Sequence, residues 1–285
     1  MRQQHLLIIL ITLLSINLSF SQTNRNNLIE KYKKGISLTT KDSIFHIEPS
    51  VRIQTLYEGS PIKGKYENNI LIRRARIKLG GWMVNPNLSY KVELGLSPND
   101  MSNSNDFNEV GGVPKIILDM VVKWKFCKSS TLWVGQTKLP GNRERVVSSQ
   151  SLQLVDRSEL NSLFNLDRDI GVQLHNKFKL NNVIIKPIFA FSKGEGRNIT
   201  HKNIGGFNYT ARLEILPLGE FTNKGDYFES DMEREPKPKL SVAGLISFNE
   251  GSSRQTQTGI FLLDNDREYL TSNVITSYMD IMFKY

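Results

Sequence analysis

Hydrophobic and polar residues alternate strictly along residues 88–97. Leu88, Tyr90, Val92, Leu94 and Leu96 occupy every second position, with Ser, Lys, Glu, Gly and Ser between them. Successive side chains of a strand point to opposite faces, so this segment predicts a strand with one apolar face and one polar face. Its length is that of a tilted strand crossing a bilayer, which takes roughly 9–11 residues.

The same two-residue period recurs along the chain and predicts about ten antiparallel strands. The second candidate places Ala75, Ile77 and Leu79 outward, and the fourth does the same with Leu118 and Met120. Asn85-Pro86-Asn87 is typical of a tight turn before the third candidate. The predicted strands cover residues 45–57, 70–82, 88–97, 118–126, 132–138, 169–178, 183–191, 207–216, 240–248 and 274–285.

The lengths of the connections predict an orientation. The links after strands two, four and six are short and most others are longer. Membrane barrels have short periplasmic turns and long extracellular loops, so strand one should run outward. Residues 221–239 depart from this rule, because they form a long, charged link on the periplasmic side. We expect this link to be a solvated excursion, that is, a connection that extends into solvent. A short helical turn within residues 156–164 is the only helix that the pattern favours.

The N-terminus predicts export. Arg2 is followed by a mostly apolar run over residues 6–18 and by Ser19-Phe20-Ser21, which suits cleavage before Gln22. The predicted organisation is therefore a signal peptide at 1–21, a short periplasmic segment at 22–42 and a membrane domain at 43–285. The alternative is an uncleaved anchor, although the apolar run is shorter than the ~20 residues of a spanning helix.

Composition narrows the classes of partner. The formal charge is +9, which favours anionic partners. An exported protein rarely meets nucleic acid, so small anions and acidic lipid are the expected partners. Cys127 is the single cysteine, which excludes an intramolecular disulfide, and the sequence contains no zinc motif. Mean hydropathy is −0.32, too low for a helical membrane protein and compatible with a barrel whose inward residues are polar.

Five segments in order resemble the phosphate-selective porin O and P family, in a form similar to that of Bacteroidetes. They are residues 35–43 (GISLTTKDS), 73–81 (RRARIKLGG), 134–140 (VGQTKLP), 167–174 (DRDIGVQL) and 209–219 (YTARLEILPLG). The resemblance implies an antiparallel transmembrane β-barrel of sixteen strands in the outer membrane, forming a homotrimer. It also implies that residues 139–167 form an inward-folded third extracellular loop, here called loop three. With about ten strands present, the expectation is an open, curved part of such a barrel that lacks C-terminal strands. The alternative is a small barrel of ten strands, closed by pairing of the last strand with the first.

Basic residues on inward positions are the candidate site. The predicted pore-lining set is Arg74, Arg76, Lys78, Lys91, Lys123, Lys125 and Arg212, and the predicted constriction set in loop three is Arg143, Arg145 and Arg157. Guanidinium groups bind phosphate and carboxylate through paired hydrogen bonds, so a ring of them would attract anions. The alternative is that Glu48, Glu93, Asp119 and Glu214 pair with these bases and neutralise the wall. Arg73 has outward parity and is expected to reach lipid headgroups.

Aromatic residues at strand ends predict the membrane interface. Trp82, Trp124, Phe126 and Trp133 lie near the short turns, where an aromatic belt is found in barrels. In a soluble β-sandwich, the alternative fold, the same residues would be core.

The preferred function is passive diffusion of small anions such as phosphate, with no catalytic residues, no cofactor and no metal. The alternatives are a non-selective porin and a soluble or surface β-sheet binding protein. An outer-membrane enzyme is disfavoured because His46 and His175 point inward and His201 lies in a loop, so no serine–histidine pair faces the lipid. A transporter with a plug is disfavoured because only about twenty residues separate the predicted signal peptide from the first strand.

Overall fold

The computed structural model describes residues 35–62, 64–101, 114–200, 205–254 and 259–285. The chain divides into two units, Met1–Leu38 and Thr39–Tyr285, and the second carries the sheet. The predicted signal peptide and His201 lie outside the described residues.

The described part of the chain forms one antiparallel sheet of 12 strands. The first six strands are β1 (Leu38–Thr39), β2 (Phe45–Ile62), β3 (Lys65–Met83), β4 (Asn85–Gly95), β5 (Ile117–Trp124) and β6 (Ser130–Lys138). The others are β7 (Arg168–Asn176), β8 (Phe178–Leu180), β9 (Val183–Ser192), β10 (Asn208–Leu216), β11 (Lys239–Ser252) and β12 (Ser272–Lys284). The all-β prediction is confirmed, and each of the ten predicted strands is present.

From β2 onward the strands follow chain order across the sheet, except that β8 pairs only with β9 and β7 pairs directly with β9. Within the described residues, β12 pairs with β11 alone. The sheet is therefore open between its first and last strands, as the resemblance led us to expect.

Two connections differ from the prediction. β2 and β3 are long strands that pair along their whole lengths, from Phe45 opposite Met83 to Ile62 opposite Lys65. A hairpin therefore replaces the loop expected after strand one. The next reversal is centred on Val84, which has a φ of 66°, rather than on Asn85-Pro86-Asn87, since β4 already begins at Asn85. Within β4, the Asn85 side chain accepts a hydrogen bond from the Asn87 backbone N–H at 2.9 Å.

Polar residues are buried and apolar residues are exposed in this sheet. Among the described residues, 32 polar or charged residues are buried against 11 hydrophobic ones. Apolar residues at the outward positions of β12 are exposed: Ile275 is 71% exposed and Met279 is 75% exposed. A soluble sandwich would bury its apolar faces, so this arrangement indicates a sheet whose outer face meets lipid.

Two β-bulges change the predicted facing of single residues. Gln54 pairs with Arg74 and Thr55 with Ile72, so Arg73 is an extra residue on β3 and turns inward rather than toward headgroups. Glu93 pairs with Asp119 and Leu94 with Ile117, so Leu118 is extra on β5 and is 1% exposed instead of outward. In both bulges two consecutive side chains lie on the inner face.

The aromatic belt is only partly as predicted. Trp124 is 53% exposed on the outer face, and its ring lies 5.7 Å from that of Phe126. Trp133 instead lies on the inner face, where it stacks on His175 with ring centroids 3.9 Å apart. Trp82 stacks on His46, whose predicted position is also inward.

Short helices occupy the connections. They are α1 (Pro98–Met101), α2 (Arg143–Val146) and α3 (Glu159–Leu163), together with a 3-10 helix at Thr222–Tyr227. α3 confirms the predicted helical turn, and the Ser158 side chain caps it by accepting from the Asn161 N–H. None of the helices in the described part of the chain has the length and hydrophobicity that a membrane crossing requires.

Candidate functional site

A cavity of about 480 Å³ lies on the inner face of the sheet. Side chains from seven strands, β3 to β7 together with β9 and β10, line it, and loop three closes one side. Eleven of the lining residues are arginine or lysine and five are aspartate or glutamate. The cavity therefore carries a basic excess on the inward positions where the sequence pattern places the site.

Loop three crosses this inner face, as the resemblance implied. At one end, Arg143 of α2 contacts Glu214 of β10, and its Nη2 lies 2.6 Å from the Ser241 hydroxyl of β11. Further along the loop, the Ser149 hydroxyl accepts hydrogen bonds from Arg52 at 2.8 Å and Arg76 at 3.3 Å. The loop is thus attached to both the early and the late strands of the sheet.

Arg74 and Arg76 both face the cavity, and both are paired. Arg74 donates to Asp156 of loop three at 2.7 Å, and Arg73 binds the same carboxylate through two nitrogens at 2.6 and 3.2 Å. Arg76 forms a two-point contact with Asp100 of α1, at 2.7 and 2.9 Å. Burial alone would raise the pKa of Asp100, but the hydrogen bond and charge of Arg76 outweigh it and hold that pKa below its usual value.

Lys91 belongs to a buried chain of ion pairs. Its ammonium lies 2.5 Å from Asp119 and 2.8 Å from Glu93. Asp119 is also bound by Arg168 at 3.0 Å, and Glu93 by Arg76 at 3.2 Å. These contacts support the neutralisation hypothesis for Lys91 and Arg76.

Four bases of the cavity contact neutral groups in the described structure. The Lys123 ammonium lies 3.7 Å from the centre of the Trp133 ring. Arg157 donates to the Glu144 and Val147 carbonyls at 2.6 and 2.8 Å, and Lys138 also donates to loop-three carbonyls. Arg197 donates to the Asp100 carbonyl at 2.7 Å. None of these four contacts is made to a carboxylate.

The two arginines of this set remain charged at neutral pH. Burial lowers the pKa of Arg157 to about 10, and the nearby positive charge of Arg74 adds to the effect. Burial likewise lowers the pKa of Arg197 to about 10, with Arg168 contributing. In both cases burial is the larger cause and repulsion by a neighbouring arginine the smaller one.

Arg212, Arg143 and Arg145 hold loop three in place. Arg212 binds Asp280 of β12 at 2.8 and 3.1 Å and the Gly141 carbonyl at 2.8 Å. Arg145 forms an ion pair with Asp167 at the end of the loop. Arg212 and Arg145 contact the wall or the loop, and Arg143 also donates to the Asp226 carbonyl at 3.0 Å.

Lys78 and Lys125 lie outside the cavity lining. Lys78 is an exposed residue of β3, and Lys125 follows the end of β5 with its backbone N–H bound to the Asn87 carbonyl. The cavity also contains bases that the strand pattern did not select, Lys138, Arg168 and Arg197. Arg168 lies inside the family-like segment 167–174, which could have drawn attention to it, whereas Arg197 lies in a loop with no periodicity.

Residues 221–239 are not a solvated excursion. Phe221, Asp226 and Glu235 are buried, and the Asp226 carboxylate lies 2.6 Å from the Lys186 ammonium of β9. The segment therefore folds against the inner face of the sheet.

An open antiparallel sheet with an apolar outer face and a charged inner cavity defines a β-sheet membrane channel wall. The family model for phosphate-selective porin O and P matches residues 52–213, more than half of the chain. The chain belongs to this family of porins. A search of curated proteins finds no match.

Proposed function

We propose that this chain forms an outer-membrane channel for passive diffusion of small anions, including phosphate. The observation that carries the proposal is the cavity with eleven basic and five acidic side chains, four of whose bases contact only neutral groups in the described structure. A confined excess of one charge raises the local concentration of counter-ions and repels ions of the same sign.

Arg157 and Lys123 are the residues expected to act on the permeating ion. Arg157 presents a guanidinium from loop three, a group that binds phosphate oxygens in pairs. Lys123 presents an ammonium from the sheet, on β5. An anion crossing the cavity would pass between a loop and a strand that both carry positive charge.

Planar-bilayer recording of the full-length protein tests this proposal. Under a KCl gradient, the reversal potential should favour chloride over potassium, and added phosphate should reduce the chloride current by competing for the same groups. The double variant Lys123→Gln/Arg157→Gln should lose most of this preference. Lys65→Gln removes the same kind of charge at the exposed end of the β2–β3 hairpin and should leave selectivity unchanged.

The non-selective porin is the second candidate, because Glu93, Asp119 and Glu214 pair with inner bases as the neutralisation hypothesis requires. A conducting channel with no ion preference would establish the non-selective porin and overturn the proposed anion channel. We further propose that the chain lies in the outer membrane, surrounded by its lipid, and assembles as a homotrimer. Membership of the porin family supports these parts of the proposal.

A further inference from the structure

A segment from the short-turn edge of the sheet meets loop three inside the channel. We define the inward segment as residues 221–238, between β10 and β11. Leu216 at the end of β10 pairs with Ile184, and Lys239 at the start of β11 pairs with Lys284. Loop three leaves the opposite edge, where Lys138 pairs with Arg168. The two connections therefore enter from opposite ends.

Their contact is made by backbone as well as side chains. The Glu229 backbone N–H donates to the Ser151 carbonyl at 3.0 Å, and the Glu229 carboxylate accepts from the Gln153 N–H at 2.8 Å. Arg143 of loop three donates to the Asp226 carbonyl at 3.0 Å. Three hydrogen bonds thus join the inward segment to the loop that was expected to form the constriction.

The inward segment is fixed to the wall independently of loop three. Phe221 packs with Ile184 and Leu216 in a small buried apolar cluster. The Lys284 ammonium donates to the carbonyls of Gly225, Phe228 and Ser230, each at 2.8 Å. Glu235 accepts hydrogen bonds from the Thr222 backbone and hydroxyl at 2.6 and 2.9 Å, which closes the segment on itself. Contacts at its start, in its middle and near its end therefore fix the inward segment in place.

One residue of the segment lines the cavity, and the residue before it binds a lysine of β9. Tyr227 lines the cavity described above, with the Lys186 ammonium 5.5 Å from the centre of its ring. The Lys186 ammonium donates a hydrogen bond to the Asp226 carboxylate at 2.6 Å, so the charge of this lysine is paired. We propose that the inward segment is a second constriction element, in which Tyr227 limits the bore and Asp226 limits the anion preference by neutralising Lys186. This inference rests on the proposed function, because it assigns specificity within the same channel.

Crosslinking tests the position of the segment. In a Cys127→Ser background, Ser151→Cys and Glu229→Cys should be joined by a short bifunctional thiol reagent in intact outer membranes. Ser151→Cys with Glu233→Cys is the matched control, because Glu233 is an exposed residue of the same segment that contacts Asn223. Failure of the first pair to crosslink in an assembled channel, or equal crosslinking of both pairs, would place the segment outside the pore.

Conduction tests its role. Asp226→Asn should increase the preference for chloride over potassium, because Lys186 loses its closest carboxylate, and Tyr227→Ala should increase single-channel conductance. Glu233→Gln should change neither quantity. An anion-preferring channel that is unaltered by both variants would overturn the inference and leave the proposed function standing. A cation-preferring wild-type channel would overturn the proposed function, while the crosslink still decides whether the segment lies inside.

Discussion

Arg143 and Glu214 form a buried ion pair between loop three and β10. The guanidinium also reaches Asp280 of β12 at 3.3 Å and the Ser241 hydroxyl at 2.6 Å. Carboxylate and hydroxyl partners from three adjacent strands thus converge on one loop residue. Burial alone would lower the pKa of Arg143, but the charge of Glu214 outweighs it and raises that pKa above its ordinary value.

Breaking this pair should release loop three. Arg143→Gln leaves the buried Glu214 carboxylate with Lys186, at 3.6 Å, as its remaining cationic partner. Removing one partner of a buried pair costs about 3–5 kcal/mol where no second partner remains, so we expect a smaller loss here. We expect a lower unfolding temperature and a larger, noisier single-channel conductance. Lys177→Gln is the control, since Lys177 pairs with Glu220 at a site where both side chains are 53% exposed, and such pairs contribute little. Quiet, wild-type conductance in Arg143→Gln would show that the pair does not hold the loop.

The two-residue alternation predicts the sheet well because strand facing is a local property. This alternation alone predicts the inward facing of four basic residues, Arg74, Arg76, Lys91 and Arg212. It fails at Arg73 and Leu118, because a bulge is defined by the partner strand and leaves no mark in the alternation of its own strand.

The partners of the site could be predicted less well than its strands. Asp100, Asp156 and Ser149 lie in connections, where no period relates sequence to facing, yet they take up hydrogen bonds of the inner arginines. Residues 221–239 are highly charged, and composition alone suggested solvent exposure. Their burial depends on Lys186 and Lys284, which are supplied by distant strands.

Cys127 should react as a thiolate near neutral pH. Hydrogen bonds from Ser130 and then Ser129 lower its pKa to about 7, and the residue is exposed in the turn between β5 and β6. Since the thiolate is the nucleophile, alkylation by iodoacetamide should rise with pH to a midpoint near that value. The double variant Ser129→Ala/Ser130→Ala should move the midpoint upward. An unchanged midpoint would mean that the hydroxyls do not stabilise the thiolate.

The apolar outer face predicts membrane integration. Outward residues such as Ile53, Ile275 and Met279 are each at least 69% exposed, which lipid would accommodate and water would not. The full-length protein should stay in the membrane pellet after carbonate extraction, and its gel mobility should change only on boiling. Recovery as a soluble periplasmic monomer would favour the β-sheet binding protein instead.

Gly135 is expected to be essential for assembly of the sheet. It lies in the family-like segment 134–140, pairs with Gly171 of β7 and has a φ of 128°, a conformation that residues with a Cβ rarely adopt. A Cβ at this position would lie 2.2 Å from the Met120 carbonyl oxygen of the neighbouring strand. Backbone strain of this kind costs about 1–3 kcal/mol before the steric overlap is counted.

Gly135→Ala should therefore reduce the heat-modifiable, folded form in outer membranes. Gly80→Ala is the matched control, because Gly80 also lies within a strand but has no atom within 4 Å of an added Cβ. Equal folded yields for the two variants would contradict the close approach of β5 and β6 at Gly135. A loss confined to Gly135→Ala would explain in physical terms why a glycine occupies this position.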